Sequence, residues 1–428
     1  MLNFNNKVPT DIKIGNKTVE KILMRNEVVW SRTQTLSEYF YIENTYSGQN
    51  TISIKQTTYG GTVDSSKYTT HLDFSKDKVN WTTINLSSTP YTITLNQGEK
   101  VYLRGDEGVL NYADSSKEVT TIINGSQTHI VGGNIKSLLD YTDINNVTLS
   151  EGVFCNLFLS EGDNKLTSAA KLILPSTVSV RCYWNMFGSC TSLTTAPSLP
   201  ATTLTSHCYE DMFGGCTSLT TAPSLPATTL TDSCYRYMFY NCTSLTTAPT
   251  LPATTLADSC YSNMFDGCTS LITAPTLPAT TLAPICYASM FHKCTSLTTA
   301  PVLPATTLAS SCYSGMFYNC TSLTTAPVLS VTTLANNCYG GMFRNCTSLT
   351  TAPSLPATTL TQYCYKNMFN GCSSLNSVTS YATDISASNC LSDWLSNVAS
   401  TGTFHNLGSA SYPSGASGIP QGWTEVNS

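Results

Sequence analysis

Charge is scarce in this chain. Only 11% of its 428 residues are Asp, Glu, Lys or Arg, and the formal net charge is −5, which leaves no electrostatic footprint for nucleic acid. No apolar run approaches the roughly 20 residues of a membrane-spanning helix, so no membrane insertion is expected. The opening ten residues are polar and lack the apolar core of a signal peptide, which predicts that the chain as given is not exported by that route. Despite 18 cysteines there is no C-x-x-C, so tetrahedral zinc has no local scaffold. The five histidines, His71, His129, His207, His292 and His405, fall in different expected elements, and none sits in a metal spacing such as H-E-x-x-H. His207 reads as a solvent-facing substitution. Gly60-Gly61 and Gly132-Gly133 lack a phosphate-loop context and read as turns. Glu210-Asp211 is the one adjacent acid pair in the repeat region, but neighbouring carboxylates do not face each other across a substrate. An enzyme is not expected, nor a cofactor or a metal.

What the chain has instead is a 26-residue unit, C-Y-x-x-M-F-x-x-C-T-S-L-T-T-A-P-x-L-P-A-T-T-L-x-x-x, running eight times over residues 182–375. A constant period of this length means a solenoid, in which each unit buries its apolar face against its neighbours and function lies on a long surface. Leu204, Cys208 and Met212, with Tyr209 and Phe213 beside them, follow an i, i+4 interval that predicts one stripe of a short helix. The residue before the second cysteine is Gly or Asn in most copies, such as Gly215, Asn241 and Gly267. That is what a left-handed position just past a helix end requires. The following S-L-T-T-A-P predicts one short strand, so that stacked copies make a parallel sheet. The expected class is an N-terminal all-β, β-sandwich-like part followed by an α/β leucine-rich-repeat solenoid.

Sixteen of the cysteines form one pair per unit, eight residues apart. Ends of a helix that long lie about 12 Å apart, beyond the roughly 7 Å reach of a disulfide. They read as two ladders of small buried residues.

The C-Y-x-x-M-F-x-x-C-T-S-L-T unit resembles the BspA-like class of leucine-rich repeat, found on bacterial surface proteins and in tail proteins of phages that infect gut Bacteroidales. The resemblance covers close to half the chain. It implies a virion protein, from a tail fibre, baseplate or head fibre, made in the host cytoplasm; the alternatives are a bacterial cell-surface adhesin or a structural, decorating protein of the particle.

The remainder divides by composition, with 34 of the 47 charges in residues 1–180. Residues 1–33 predict two or three short strands with turns at Gly15-Asn16 and Asn26-Glu27. A unit so small must dock on something else. It resembles short amino-terminal segments of phage tail proteins, which implies attachment to other virion proteins. Residues 34–110 alternate apolar and polar in several short runs and predict a β-sandwich. Its Phe74 to Trp81 hairpin, F-S-x-D-x-x-x-W, resembles a module that precedes these repeats in the same proteins. Residues 111–181 read as a linker with a degenerate first coil, and residues 376–428 as the closing cap, because an open end would expose apolar edge.

Core positions barely change among the copies, whereas the pairs after Cys-Tyr and after Met-Phe do. They carry Trp184, Tyr237, Tyr240, His292, Tyr318 and Arg344, with Tyr363 just before Cys364. Aromatics in a row stack on sugar faces, and Tyr or Arg supplies hydrogen bonds. These seven are the candidate ligand-binding residues, for a host-surface glycan or protein. The threonine side, Thr194-Thr195, Thr220-Thr221 and their successors, is a second regular face, although paired threonines also stabilise sheets by themselves. A fibre would be a homo-oligomer, but no coiled-coil heptad enforces one.

Overall fold

A computed structural model of the chain describes residues 12–14, 17–19, 21–24, 27–31, 39–59, 68–106, 110–113, 118–160, 162 and 164–427. Strand β1 (Ile12–Ile14) pairs antiparallel with β2 (Lys17–Val19), and β3 (Lys21–Met24) with β4 (Glu27–Ser31). Gly15-Asn16, Asn26 and Gly60-Gly61, expected as turns, lie outside the described residues.

Alternation of apolar and polar residues places the next strands, because one face of each must be buried. These are β5 (Phe40–Asn44), β6 (Asn50–Tyr59), β7 (His71–Ser75), β8 (Thr82–Asn85), β9 (Tyr91–Leu95) and β10 (Lys100–Arg104). β11 (Tyr112–Ala113), β12 (Glu118–Gly125), β13 (His129–Asn134) and β14 (Leu166–Ile173) follow, so residues between 111 and 181 supply strands as well as a connection. The strands form a six-stranded sheet, order β14-β13-β5-β10-β7-β8, and a four-stranded sheet, order β11-β12-β6-β9. Ile42, Ile52, Leu72, Ile93, Val101 and Val131 from the two sheets join one hydrophobic cluster. The β7–β8 turn is held by Asp77, whose Oδ1 accepts the Val79 and Asn80 N–H groups at 2.8 and 2.7 Å. Gly132-Gly133 is not a turn. It lies inside β13, at a register shift, where a Cβ on Gly132 would meet the Tyr41 hydroxyl at 2.5 Å and one on Gly133 the Tyr39 carbonyl at 2.0 Å. Only glycine fits so close an approach.

The repeats do not contain the expected helices. Among the described residues the one helical element is a 3-10 turn at Ile135–Leu138. Each Cys-Tyr-x-x-Met-Phe stretch is a chain of overlapping turns in which alternate N–H groups serve different purposes. Trp184, Met186, Gly188 and Cys190 donate to the carbonyl three residues back at 3.0–3.2 Å, while Tyr183, Asn185 and Phe187 donate forward, to Cys208, Glu210 and Met212 of the next coil, at 2.9–3.0 Å. Every fourth residue is left-handed, as in Arg181, Asn185 and Ser189 or Ser259, Asn263 and Gly267. This is the conformation that the third residue of a type II turn requires. The residue before the second cysteine is therefore left-handed as expected, but as the last of three such positions and not as the end of a helix. Cys208, Met212 and Cys216 share a face because the turns recur every four residues, an interval a helix of 3.6 residues per turn only approximates.

The expected strand is likewise reduced. Thr221, Thr247, Thr273, Thr299 and Thr325 join by single parallel bridges, and Thr203, Thr229, Thr255, Thr281 and Thr307 form a second such row. A strand cannot lengthen past A-P-x-L-P, where two prolines remove N–H donors. Threonine hydroxyls help here, donating to main-chain carbonyls of the preceding coil, as Thr306 does to Thr280 at 3.4 Å and Thr324 to Thr298 at 3.2 Å.

Inside the stack, Tyr183 through Tyr365 and Phe187 through Phe369 form two columns of nearly parallel rings, for example Tyr235–Tyr261 at 5.9 Å and Phe239–Phe265 at 5.7 Å. The Phe column continues into the sheets through Phe158 and Phe40. All 18 cysteines are buried free thiols. They are more than small apolar residues: the second ladder donates S–H bonds backward, as Cys268 does to the Phe239 carbonyl at 3.1 Å and Cys294 to Phe265 at 3.2 Å. Burial pushes their acidity down and their pKa up, Cys208 to about 11, so they stay protonated and unreactive.

Because all forward N–H bonds point one way, the stack has a carbonyl end and an N–H end. At the carbonyl end, residues 152–160 form a first coil whose Cys155 and Leu157 carbonyls are met by the Asn111 amide and the Ile123 N–H, both at 2.8 Å. At the other end Asp393 and Leu395 donate to the Ser417 hydroxyl and the Ala416 carbonyl. Trp394 is fully buried there, stacked on Tyr365 at 6.4 Å, with its indole N–H on the Gly418 carbonyl at 2.8 Å. A parallel sheet of β15 (Ser377–Ser380), β16 (Gly402–Asn406) and β17 (Trp423–Val426) extends the bridge side at this end.

Candidate binding face

The turn stretches put the variable residues outward because Cys, Tyr, Met and Phe occupy the inward positions, and a left-handed residue between them turns the chain back. All seven candidates are half-buried, not freely exposed. They do not form one row. Tyr237 and Tyr240 meet edge to face at 5.7 Å, with the Arg236 guanidinium 4.9 Å from the Tyr237 ring. His292 and Tyr318 stack at 4.7 Å on adjacent coils, and Arg344 lies over Tyr318 from the next at 5.2 Å. Tyr363 carries Lys366 at 5.1 Å. Trp184 makes no ring contact with the others among the described residues and stands at the repeat position that continues as Glu210 and Arg236.

The repeat position that holds the candidates Tyr240, His292, Tyr318 and Arg344 is filled by Asp266 on the coil between Tyr240 and His292. Asp266 Oδ2 is 3.1 Å from His292 Nδ1, so Asp266, His292, Tyr318 and Arg344 form one ladder from acid to base. Asp266 was missed, although its position 26 residues before His292 was available as a signal.

His207 is not simply turned to solvent. Its Nδ1 is 2.5 Å from Glu210 Oε2, and Arg236 approaches Glu210 Oε1 at 3.5 Å. Glu210 is therefore paired on both sides. Its neighbour Asp211 is not: Asp211 Oδ1 is buried without a hydrogen-bond partner, and burial, then the adjacent Glu210 charge, raises its carboxyl to about 7. A perturbed carboxylate is a signature of function only beside a second group aimed at the same space. Asp211 has none, and its position is held by Asn185, Asn263 and Asn367 in other coils.

No group of three or more His, Cys, Asp or Glu among the described residues is placed to hold a metal ion, and no helix among them is long and apolar enough to cross a membrane. The face offers rings, hydroxyls, amides and a few charges on a rigid frame, an arrangement suited to recognising a ligand.

Six copies of the BspA type leucine-rich repeat region match residues 164–272, 210–350 and 288–412. Together these span more than half of the chain, which belongs to that family of repeat proteins. The matched family is one of repeat regions, and no enzymatic domain is matched. No curated protein and no solved structure matched the chain.

Proposed function

We propose that this chain is a non-enzymatic virion protein of a phage, from a tail fibre, baseplate or head fibre, that presents the turn face of its solenoid to the host surface. One observation carries the reading. Within coils whose buried residues barely vary, side-chain change is concentrated at outward turn positions, where Tyr237 with Tyr240 and His292 with Tyr318 form aromatic clusters beside Arg236 and Arg344. Rigid aromatics flanked by charge are what glycan and protein surfaces are recognised with. The two N-terminal sheets are read as a β-sandwich that carries the solenoid, and strands β1 to β4 as the part that attaches to other virion proteins, in a homo-oligomer. Recognition of a host by a bacterial cell-surface adhesin would use the same face, and the family's occurrence on bacterial surfaces favours that as the second reading.

The test is binding of fluorescently labelled full chain to intact Bacteroidales cells, beside a variant with Trp184→Ala, Tyr237→Ala, Tyr240→Ala and Tyr318→Ala. Saturable binding that the substitutions reduce at least tenfold is the expected result. A folded chain that binds no cells, or binds equally well with the four rings removed, would contradict the reading.

A further inference from the structure

We propose that the depression floored by Gly315, Gly340 and Gly341 binds an anionic sugar, one carrying a carboxylate or sulfate, within an acidic glycan. The proposal rests on the turn face being a recognition surface and names the chemistry of one site on it.

The depression holds about 310 Å³, at the lower end of the roughly 300–1,000 Å³ of ligand clefts. It is made by missing side chains. The two positions after Cys-Tyr carry Trp184-Asn185, Arg236-Tyr237 and Lys366-Asn367 in other coils, and Gly340-Gly341 is the one copy with neither. A Cβ on Gly341 would meet nothing within 4 Å, so the space above it is open. Its left-handed φ of 64° does not by itself demand glycine, because Tyr237 sits at the same repeat position with φ 56°.

The rim supplies three kinds of contact. Tyr318 brings its ring edge and hydroxyl, since His292 stacks on one ring face and Arg344 lies over the other. Ser289, Asn337 and Asn367 line the depression with hydroxyl and amide groups for sugar hydroxyls. Arg344 and Lys366 bring two cations to the same space.

These cations distinguish the site from the rest of the face. Arg181 is paired with Glu151 and Arg236 with Glu210. Arg344 and Lys366 have no carboxylate partner among the described residues, only the rings of Tyr318 and Tyr363. The Nε atom is buried without a hydrogen-bond partner in Arg344 and Arg236 alike, so what sets Arg344 apart is the missing carboxylate. Between Asp266 and Asp384 the chain carries no acidic residue at all, while Lys293, Arg344 and Lys366 fall in that stretch. The solenoid's nearly balanced total charge is thus split, with acids on the earlier coils and unneutralised bases around the depression. Arginine in a fork geometry with a lysine beside it suits a carboxylate or sulfate.

The experiment is an array of uronate-bearing, sulfate-bearing and neutral oligosaccharides, probed with the full chain, Gly341→Tyr and Lys366→Ala. Gly341→Tyr fills the depression with a residue that the same backbone position already accepts. Expected are binding to uronate or sulfate oligosaccharides over neutral ones and a fall of at least tenfold between 50 and 500 mM salt, as ionic screening requires. A further loss of at least tenfold in Gly341→Tyr, and a smaller loss in Lys366→Ala, should come with unchanged thermal unfolding. Which of the two anionic groups binds identifies the source of the charge. Equal binding of neutral oligosaccharides, no binding to any acidic one, or binding indifferent to both substitutions overturns the proposal. Cell binding that survives Gly341→Tyr but is lost with Trp184→Ala, Tyr237→Ala and Tyr240→Ala overturns this site and leaves the recognition reading standing.

Discussion

Replacing Asp211 by asparagine should stabilise the protein, by an amount that depends on pH in a calculable way. Asp211 is left-handed at φ 54°, a conformation asparagine shares at Asn185 and Asn263, so the exchange adds no backbone strain. Its buried Oδ1 lacks a partner, and its carboxyl is raised from 3.8 to about 7. A group whose folded pKa lies above its unfolded value binds more protons when folded. Stability is then lost as pH rises from about 4 to about 7 and is flat above. Ionisation of Asp211 at pH 8 costs about 4 kcal/mol by that difference, and about 2 kcal/mol once its partial exposure is allowed for. Asn185 already donates its amide to Asn156 on the preceding coil at 2.8 Å. An asparagine at 211 would extend that ladder to Asn185, adding about 0.5–1 kcal/mol. Urea unfolding of Asp211→Asn and wild type at pH 4 and pH 8 is the assay. The variant should gain about 2–3 kcal/mol at pH 8 and less than about half of that at pH 4. Loss of stability at pH 8, or an equal gain at both pH values, would refute the account of this carboxylate.

Three further outcomes follow from buried polar groups. Tyr235 Oη is buried without a hydrogen-bond partner, so Tyr235→Phe should leave stability unchanged or raise it by about 1–2 kcal/mol, read as a shift in urea midpoint; a loss of that size would mean that the hydroxyl is paired. His129 is buried and held neutral, its pKa lowered to about 4 from 6.5 chiefly by burial. A base with a depressed folded pKa loses stability as pH falls from about 6.5 to 4, by about 3 kcal/mol here, and His129→Gln should flatten that limb of the stability curve. Ellman titration without reductant should find almost no reactive thiol in the folded protein and all 18 after denaturation; far fewer would mean that adjacent ladder cysteines have oxidised.

The solenoid, its period and its inward residues were legible because a constant 26-residue interval fixes which side chains lie above one another, whatever the backbone does. The helix was misread for a physical reason. Polarity pattern records which residues share a face, and Leu204, Cys208 and Met212 share one in a helix and in a series of four-residue turns alike. What separates the two is where the N–H groups donate, to the fourth carbonyl back or to the next coil, and no side chain encodes that directly. Two clues were present: the interval is a strict four where a helix would drift, and Gly or Asn recurs inside the stretch as well as at its end. The variable residues lie at outward turn positions but half-buried, and their grouping could be read only in part. Tyr240, Asp266, His292, Tyr318 and Arg344 occupy one repeat position and could have been aligned from the sequence. The missing side chains at Gly340-Gly341 could have been read in the same way, but the volume of the depression could not, since it depends on where Tyr318, Arg344 and Lys366 are placed around it.

The claim that the turn face performs recognition is tested most directly by hydroxyl-radical footprinting of the full chain, free and bound to host-cell envelope. The account predicts protection of Tyr237, Tyr240, His292 and Tyr318 with little change at the surface rings Tyr41 and Tyr102 of the six-stranded sheet. Protection confined to that sheet, with the turn face equally reactive in both states, would contradict it and make the repeat array a spacer.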